Sequence, residues 1–361
     1  MKNSHGYIEI SIELLKISAT CICSPLTYIC DKSILSGIVL DRLKFSIIKP
    51  IYKKGDRMNL TNSRPLSLLT SFLKVIEIAL YIRPTEHFYS NKLPVGNQFG
   101  FRKYIATEDA ICKLRYEILS ALHNKTMAGS IFCNLEKAFN SANRDLLLSK
   151  LLFYGISGEA KLLLASYLQN RYQGVQIINS YLNSNTVSKW TKQKYWALQD
   201  STLDILLFVA YIIDIPKATD HKAIPVIFAD YTSRLIINPN NIHFKIDLNI
   251  VVGQLNKCFK ANLLSLNFDK TYFIQFTNKS TCTFDIQIKY EKQMCTTIET
   301  KFLGLFMNNT VSWKTHIEYI KSKLSSACFA MRSFKPYVSL NTLKMIYYPH
   351  FHSIVTYGLL F

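Results

Sequence analysis

Long apolar runs are missing from this 361-residue chain. A membrane-spanning helix needs about 18 or more consecutive apolar residues without charge, and no segment reaches that length. The nearest approach, LDILLFVAYIID (203–214), is short and contains Asp204 and Asp214, so it predicts a buried helix. The N-terminus carries Glu9 and Glu13 where a signal peptide would be apolar. We therefore expect a soluble, intracellular protein without membrane partners.

A regular cysteine framework is also missing. Nine cysteines are scattered along the chain without a CxxC motif, so the sequence does not indicate a disulfide framework. This distribution is typical of reduced, mostly buried thiols in an intracellular protein. His350 and His352 form an HxH pair, but no cysteine or acid is close to them in sequence. We interpret them as structural residues rather than metal ligands.

Acidic residues are few relative to basic ones. The chain has 24 Asp and Glu against 43 Lys and Arg, which gives a net charge of +19. A field of this sign attracts polyanions, of which nucleic acid is the commonest. The basic residues are spread through patterned sequence such as DRLKFSIIKPIYKKGDR (41–57), not gathered in a tail. They predict a nucleic-acid-binding surface on a folded domain; a basic surface that serves solubility alone is the alternative.

Strand and helix patterns alternate along the chain, without internal repeats or low-complexity segments. Periodicity and turn residues predict helices at 9–17, 68–82, 109–124, 145–154, 159–169, 202–213 and 313–357, and strands at 45–52, 130–133, 172–179 and 223–233. The alternation predicts an α+β fold with helices packed on one face of a sheet. The length permits two or three domains of roughly 100 to 200 residues each.

Two predicted strands end in a short polar side chain. One ends at Asn134 in FCN, and the other ends at Asp230 in IFAD. Each position aims a polar group into whatever cleft lies beside the sheet. Taken alone, Asp230 is more typical of a turn or N-cap acid than of a catalytic one.

A series of segments, in order, resembles the reverse transcriptase domain of jockey-like non-LTR retrotransposons. The segments are IIKPIYKKGD, NSRPLSLLTSFLKVIE, NQFGFRK, NLEKAFNSANRDLLLSKLLFYGISG, LQDSTLDILLF, FADYT, NLLSLNFDKT and KFLG. The resemblance runs from about Ser24 to the last residue and implies a right-hand polymerase fold. It implies fingers at 1–127, a palm with an antiparallel sheet and packed helices at 128–305, and a partial, apparently truncated helical thumb at 306–361.

The resemblance implies RNA-directed DNA polymerisation, with an RNA template, a DNA primer and deoxynucleotide triphosphates as partners. Two Mg²⁺ ions would be the cofactors, because one activates the primer hydroxyl and both hold the triphosphate. Family members supply three aspartates, whose oxygens suit this hard cation. The corresponding residues here are Asn134, Asp230 and Tyr231, so Asp230 is the one metal-binding acid that remains. We expect no useful polymerisation, since an amide and a neutral phenol add no charge.

The resemblance gives roles to four further residues. Phe139 matches an aromatic that excludes a ribose 2′-hydroxyl, and Lys270 matches a lysine that protonates the departing pyrophosphate. Arg64 and Arg102 match basic finger residues that meet the template or the triphosphate. Taken alone, these residues are typical of a core phenylalanine, a solvated lysine and surface ion-pair partners.

A glycine- and proline-rich loop of the family, GxPQGSxLGPLLF, is altered to WALQDSTLDILLF (196–208) in this chain. Gln199 and Ser201, which the resemblance places beside nucleotide and template, are kept. Asp200 and Asp204 replace glycines, and we expect them to repel the charge of a nucleotide. Several departures from the family pattern, at positions 134, 140, 198, 200, 204 and 231, need a single base change each, which is typical of a decaying element copy.

Three functional hypotheses follow. The first is the polymerase domain of a non-LTR retrotransposon, inactive in this copy and acting by family precedent in the nucleus. The second is a non-catalytic nucleic-acid-binding protein that holds a duplex in the same cleft. The third is a product that does not fold stably, because buried aspartates would cost several kcal/mol against a total stability of about 5 to 15.

Overall fold

A computed structural model describes residues 6–8, 10–53, 55–93, 96–135, 142–179, 184–193, 201–219, 221–278, 289–290, 292–293 and 295–358. The α-helices are α1 (Ile12–Ile17), α2 (Ala19–Ser36), α3 (Ser71–Ser90), α4 (Thr107–His123), α5 (Arg144–Phe153), α6 (Gly158–Leu168), α7 (Thr202–Ile212), α8 (Asn241–Ala261), α9 (Lys314–Phe334), α10 (Leu340–Tyr347) and α11 (Ser353–Thr356). The strands are β1 (Phe45–Tyr52), β2 (Ser63–Leu68), β3 (Met127–Asn134), β4 (Tyr172–Asn179), β5 (Ser184–Val187), β6 (Thr191–Lys192), β7 (Ile224–Phe228), β8 (Tyr231–Asn238), β9 (Tyr272–Phe276), β10 (Lys289–Tyr290), β11 (Lys292–Gln293), β12 (Cys295–Thr296), β13 (Glu299–Phe302) and β14 (Leu305–Asn308).

The chain forms two compact units, each assembled from separate parts of the sequence. The first unit comprises Met1–Val95, Lys137–Asp214 and Lys260–Ser265. The second unit comprises Gly96–Glu136, Ile215–Phe259 and Leu266–Phe361. Each unit combines helices with a five-stranded sheet. The predicted α+β class is therefore confirmed.

The sheet of the first unit has the order β2-β1-β4-β5, and β6 pairs with β4. Strand β1 is antiparallel to β2 and parallel to β4. Helix α7 packs against α3 and α5. Almost all of its residues from Leu203 to Ile212 are buried, because a helix that is apolar on every side must be covered by its neighbours. Among the described residues, no helix is long and apolar enough to cross a membrane.

The sheet of the second unit has the order β12-β9-β3-β8-β7, and β3 is antiparallel to both β8 and β9. One face of this sheet, with Phe132 and Leu235, packs against Leu114 of α4. On the other face, a Cβ atom at Gly129 would lie 2.8 Å from the ring of Phe244, so the glycine makes room for α8. Helices thus cover both faces. The expectation of helices on one face alone was wrong, because the apolar residues of β3 alternate to both sides.

Candidate polymerase site

The β7–β8 hairpin carries Asp230, the one position of the three family aspartates that is still an aspartate in this chain. Phe228 pairs with Tyr231, which leaves Ala229 and Asp230 as a two-residue connection. Ala229 has a φ of 56°, and a positive φ at this position is typical of the primed turns whose twist suits a hairpin. The hairpin therefore holds the half-buried Asp230 at its tip.

Asn134 and Tyr231 lie directly opposite each other on neighbouring strands. Asn134 is the last residue of β3, and Tyr231, with 40% of its surface exposed, is the first of β8. Side chains at directly opposed positions have Cβ atoms roughly 4.5 to 5.5 Å apart. The structure thus brings the three predicted metal-site positions, Asn134, Asp230 and Tyr231, to one end of the sheet.

The NFDKT segment is joined to the same strand end by hydrogen bonds. The Asn267 N–H donates to the Asn134 carbonyl at 2.9 Å, and the Asn134 N–H donates to the Thr271 hydroxyl at 3.3 Å. Thr271 is fully buried and donates its own hydroxyl hydrogen to the Asn267 carbonyl at 2.8 Å. Lys270, the residue just before Thr271, is exposed. The predicted general-acid lysine therefore lies on a segment fixed to Asn134.

The NQFGFRK segment runs beside the hairpin. The Phe99 N–H donates to the Ile227 carbonyl at 2.7 Å, and the Ile227 N–H donates to the Asn97 carbonyl at 3.0 Å. A Cβ atom built on Gly100 would overlap the backbone nitrogen of Ala229. The glycine is therefore required by close approach of the two backbones. Sequence reasoning matched this motif to the family but did not predict its contact with the turn.

Arg102 lies just beyond this contact. Its Nη1 donates to the Gln98 carbonyl at 3.3 Å, and its side chain is half-buried. The predicted basic residue is thus close in sequence and in space to the segment that supports the hairpin. One of the guanidinium N–H groups of Arg102 is therefore already bonded within the protein.

Strand β8 carries a buried arginine, Arg234, on the face of the sheet opposite to that of Tyr231. Arg234 is fully buried, and its Nη2 donates to the Ile215 carbonyl. Its Nε and Nη1 atoms have no hydrogen-bond partner among the described residues. Burial lowers the pKa of Arg234 to about 10, and burial raises the pKa of the adjacent Cys133 thiol to about 12. Sequence reasoning missed this residue, although an arginine inside an apolar strand run was visible.

The donor groups at the strand end do not suit a pair of magnesium ions. Asn134 offers an amide oxygen, Tyr231 offers a neutral phenol, and Asp230 brings the single carboxylate. Within the described ranges, no group of three or more His, Cys, Asp or Glu side chains could hold a metal ion. Mg²⁺ binds chiefly through carboxylate oxygens, so these three residues do not fit a two-magnesium site.

The remaining predicted residues are not part of this strand end. Phe139 and Gln199 lie outside the described residues. Arg64 is exposed on β2 of the first unit. Ser201, also in the first unit, is buried as the N-cap of α7 and accepts the Asp204 N–H at 3.1 Å. Asp204 is itself buried, and the repulsion of a nucleotide by this residue stays a prediction.

Two solved telomerase structures align with the chain at a TM-score of 0.49. Apo telomerase from Candida tropicalis, truncated from its C-terminal domain, has 13% identity over 76% of this chain and 55% of that chain. Telomerase from Candida albicans in complex with a TWJ fragment of telomeric RNA has 11% identity over 88% of this chain and 57% of that chain.

Curated proteins similar to this chain come from transposons. The probable RNA-directed DNA polymerase from transposon BS of Drosophila melanogaster is 25% identical over 289 residues, which is 76% of this chain. The probable RNA-directed DNA polymerase from transposon X-element of the same organism is 24% identical over 294 residues, or 78% of this chain. The chain spans 30% of the length of each relative, and no protein-family model matches it. The chain is thus a relative of transposon RNA-directed DNA polymerases, and its resemblance to non-LTR reverse transcriptases is confirmed.

Proposed function

We propose that this chain is the reverse transcriptase domain of a non-LTR retrotransposon copy that binds template and primer but does not extend the primer. Its motifs support this descent because they occur in family order over most of the chain. The division into fingers at 1–127, palm at 128–305 and thumb region at 306–361 is part of the same proposal. The proposal also includes the partners, which are an RNA template, a DNA primer and deoxynucleotide triphosphates, and a nuclear site of action.

The pairing of Asn134 with Tyr231 is the observation that carries the proposal. It sets two uncharged side chains where the family has two carboxylates, and it leaves Asp230 as the single acid. Magnesium, when bound by family members, activates the primer hydroxyl and stabilises the charge of the transferring phosphate. If the two missing charges remove about 5 kcal/mol of transition-state stabilisation, the rate falls by between three and four powers of ten.

The basic residues of this chain would still bind and orient nucleic acid. The net charge of +19 attracts the phosphate backbone whatever the state of the catalytic positions. Arg102 and Arg64 have the fork geometry that suits phosphate oxygens. The exposed Lys270 would add a positive charge beside Asn134, and Phe139 and Gln199 would keep the roles near the nucleotide that the resemblance implies. The buried Ser201 would act there indirectly, as the N-cap of α7.

A second candidate function is that of a nucleic-acid-binding protein with no polymerase role. The loss of charge at Asn134 and Tyr231 favours it, because duplex binding depends on phosphate contacts rather than on metal ligands. The two candidate functions predict different effects of restoring aspartate at positions 134 and 231. A silent polymerase should regain activity when its carboxylates return, whereas a protein that has lost its catalytic geometry should not.

Primer extension on an RNA template tests both candidates. The unaltered chain and the Asn134→Asp, Tyr231→Asp double variant are compared with Mg²⁺ and then with Mn²⁺. We expect no extension by the unaltered chain, extension by the double variant, and binding of template–primer by both that weakens at least tenfold between about 50 and 200 mM salt. Extension by the unaltered chain would overturn the proposed inactivity.

Two controls separate the remaining outcomes. Binding without extension by the double variant would favour the non-polymerase candidate. A thermal melt of the unaltered chain tests the third hypothesis, because a cooperative transition contradicts a product that does not fold.

A further inference from the structure

An aromatic cluster lies in the first unit, where strands β1 and β4 begin. Tyr172 of β4 pairs with Phe45 of β1, and their rings stack with centroids 5.2 Å apart and planes 15° apart. Trp190, in the segment between β5 and β6, makes T-shaped contacts with the rings of Phe45 at 5.1 Å and Tyr7 at 5.7 Å. Contacts of this geometry stabilise aromatic pairs beyond the area that they bury. The neighbouring rings therefore fix the orientation of the Trp190 indole.

The backbone beside Trp190 is held to β4. The Ser188 N–H donates to the Val175 carbonyl at 2.9 Å, and the Val175 N–H donates to the Ser188 hydroxyl at 2.9 Å. A Cβ atom built on Gly174 would lie 3.3 Å from the Trp190 ring, so the glycine leaves room for the indole. The indole is thus supported by the sheet as well as by the other rings.

Trp190 nevertheless exposes 40% of its surface. Tryptophan is rarely buried completely, so this exposure does not by itself indicate a binding site. The indole is a flat apolar group whose orientation is already set before a ligand arrives. A ligand that stacks on such a group loses little affinity to the ordering of the side chain.

Basic residues flank the exposed indole. Lys189 precedes it directly in sequence, and Lys192 lies opposite Tyr172 in the β4–β6 pair. Both lysines are exposed. Arg42 is also exposed, and its carbonyl accepts the hydroxyl hydrogen of Tyr7. The indole and the cations therefore belong to one surface of the first unit.

The acid next to Arg42 in sequence is already paired. Asp41 Oδ1 lies 3.0 Å from the Nζ of Lys44, so these two charges largely cancel at longer range. Arg42, Lys189 and Lys192 then give the surface a positive potential. A potential of this sign favours a polyanion over a second copy of this chain, whose own net charge is +19.

We propose that Trp190 stacks with an unpaired base of a single-stranded nucleic acid, while Arg42, Lys189 and Lys192 bind the phosphates beside that base. Stacking of this kind tolerates any sequence, because every base has a flat π surface. A base inside a duplex is already stacked on both sides and cannot reach the indole. The ligand is therefore a single strand of RNA or DNA and not a duplex.

This inference rests on the proposed function and adds to it a place where an unpaired part of the bound strand is held. Trp190 lies outside the segments that carry the family resemblance, which gives it no role. It also lies in the first unit, whereas Asp230 lies in the second. Stacking on Trp190 requires no chemistry at Asp230, so the two proposals can be tested separately.

Tryptophan fluorescence tests the stacking directly. The chain has three tryptophans, so Trp196→Phe with Trp313→Phe leaves Trp190 as the single indole. We expect decauridylate and decathymidylate each to quench its emission, because a stacked base contacts the ring. An abasic strand of the same length and a blunt RNA duplex should bind without quenching. Equal quenching by the abasic strand, or none by either oligonucleotide, would overturn the proposal.

Binding of fluorescein-labelled strands to the otherwise unaltered chain is an independent measurement. Trp190→Ala should weaken the binding of decauridylate by about five- to 150-fold, the effect of losing one stacked base. Binding of the abasic strand should not change, which also shows that the variant is folded. Trp190→Phe should recover most of the loss, since a phenyl ring still stacks. Equal affinities of the unaltered chain and Trp190→Ala for decauridylate would contradict the stacking.

Tyr28→Ala is the matched control for removal of an exposed aromatic ring. Tyr28 lies on α2 of the same unit and is 65% exposed. It makes no contact with the cluster in the proposed site, so Tyr28→Ala should bind decauridylate as the unaltered chain does. A loss equal to that of Trp190→Ala would show that the effect is not specific to this site.

Salt dependence distinguishes the role of the lysines from that of the indole. Lys189→Met with Lys192→Met should reduce the slope of log affinity against log salt by about 0.7 for each lysine that contacts a phosphate. Trp190→Ala should leave the slope unchanged. An unchanged slope in the lysine variant would contradict the phosphate contacts.

Failure of the proposed function has a different signature. Quenching of Trp190 by single strands, without primer extension by the Asn134→Asp, Tyr231→Asp variant, would contradict the polymerase descent and leave the stacking site in place. Binding of template–primer without an effect of Trp190→Ala on single strands would contradict this inference alone.

Discussion

Asn134 lies opposite Tyr231 across the β3–β8 pair, and Asp230 immediately precedes Tyr231 in the hairpin turn. The backbone that would present three carboxylates is therefore assembled, while two of the carboxylates are missing. Because the backbone is in place and only side-chain charge is missing, the effect of restoring aspartate at positions 134 and 231 can be predicted.

We predict that Asn134→Asp and Tyr231→Asp restore extension only in combination. Two divalent ions need several carboxylate oxygens, so either single variant should remain close to inactive. The double variant should extend a primer about 10³ to 10⁴ times faster than the unaltered chain, corresponding to about 5 kcal/mol of barrier. Single-turnover primer extension measures these rates. The control is the Asn134→Ala, Tyr231→Ala double variant, which changes the same positions without adding charge and should gain nothing.

We predict that Gly100→Ala destabilises the second unit. Its new methyl group would overlap the backbone of Ala229, and overpacking of this kind costs about 1 to 3 kcal/mol. Gly253→Ala is the matched control, because nothing lies within 4 Å of a Cβ at this position in α8. There the same substitution should stabilise by up to about 1 kcal/mol through helix propensity. Denaturant unfolding measures both, and equal effects would contradict the close approach of Gly100.

Several elements could be predicted from local sequence. Strands β1 and β4 begin and end at the predicted residues, and α5 lies within one residue of its prediction. Their apolar periodicity and flanking turn residues act over short distances. Helix α2 was not predicted, because Pro25 lies inside it and Ser33 is its single buried residue among those described. Its stop signal, Gly37 with a φ of 64°, was visible in the sequence.

The candidate site was less predictable than the elements that carry it. Family resemblance identified Asn134, Asp230 and Tyr231, but the overlap of Gly100 with the turn requires knowledge of the chain path. The burial of Asp204 depends likewise on Tyr167, which is 37 residues away. Contacts of this kind leave no local pattern, so the sequence predicted a buried helix around Asp204 but not the residues that contact it.

We predict that Arg234→Met stabilises the protein. Arg234 is a fully buried guanidinium with two N–H groups that lack partners among the described residues. Replacement of a poorly compensated buried charge by an apolar side chain of similar length should raise the free energy of unfolding by about 1 to 4 kcal/mol. Arg64→Met is the control, because Arg64 is exposed on a strand and should change stability by less than about 0.5 kcal/mol.

The pH dependence of this effect has a defined sign. Burial lowers the pKa of Arg234 to about 10, so the folded chain loses this proton before the unfolded chain does. The destabilisation is therefore fully present below about pH 10 and decreases above it. Denaturant unfolding near neutral pH measures the full effect. A loss of stability in Arg234→Met would mean that the guanidinium is well compensated where it lies.

We predict that His316 makes the second unit sensitive to mild acid. His316 is buried on α9, its Nδ1 accepts the Phe306 N–H at 3.5 Å, and its Nε2 has no partner among the described residues. Burial and the nearby Lys301 ammonium lower the pKa of His316. The unfolded chain, in which histidine titrates near about 6.5, therefore binds this proton more readily than the folded chain.

The consequence is a loss of stability on acidification. As pH falls below about 6.5, the free energy of unfolding should decrease by up to about 1.4 kcal/mol per pH unit until the folded histidine also titrates. His316→Gln removes this dependence and should give a flatter profile between about pH 7 and 5. His243→Gln, at an exposed position on α8, is the control and should retain the profile of the unaltered chain. Parallel profiles for the unaltered chain and His316→Gln would show that His316 titrates alike in the folded and unfolded states.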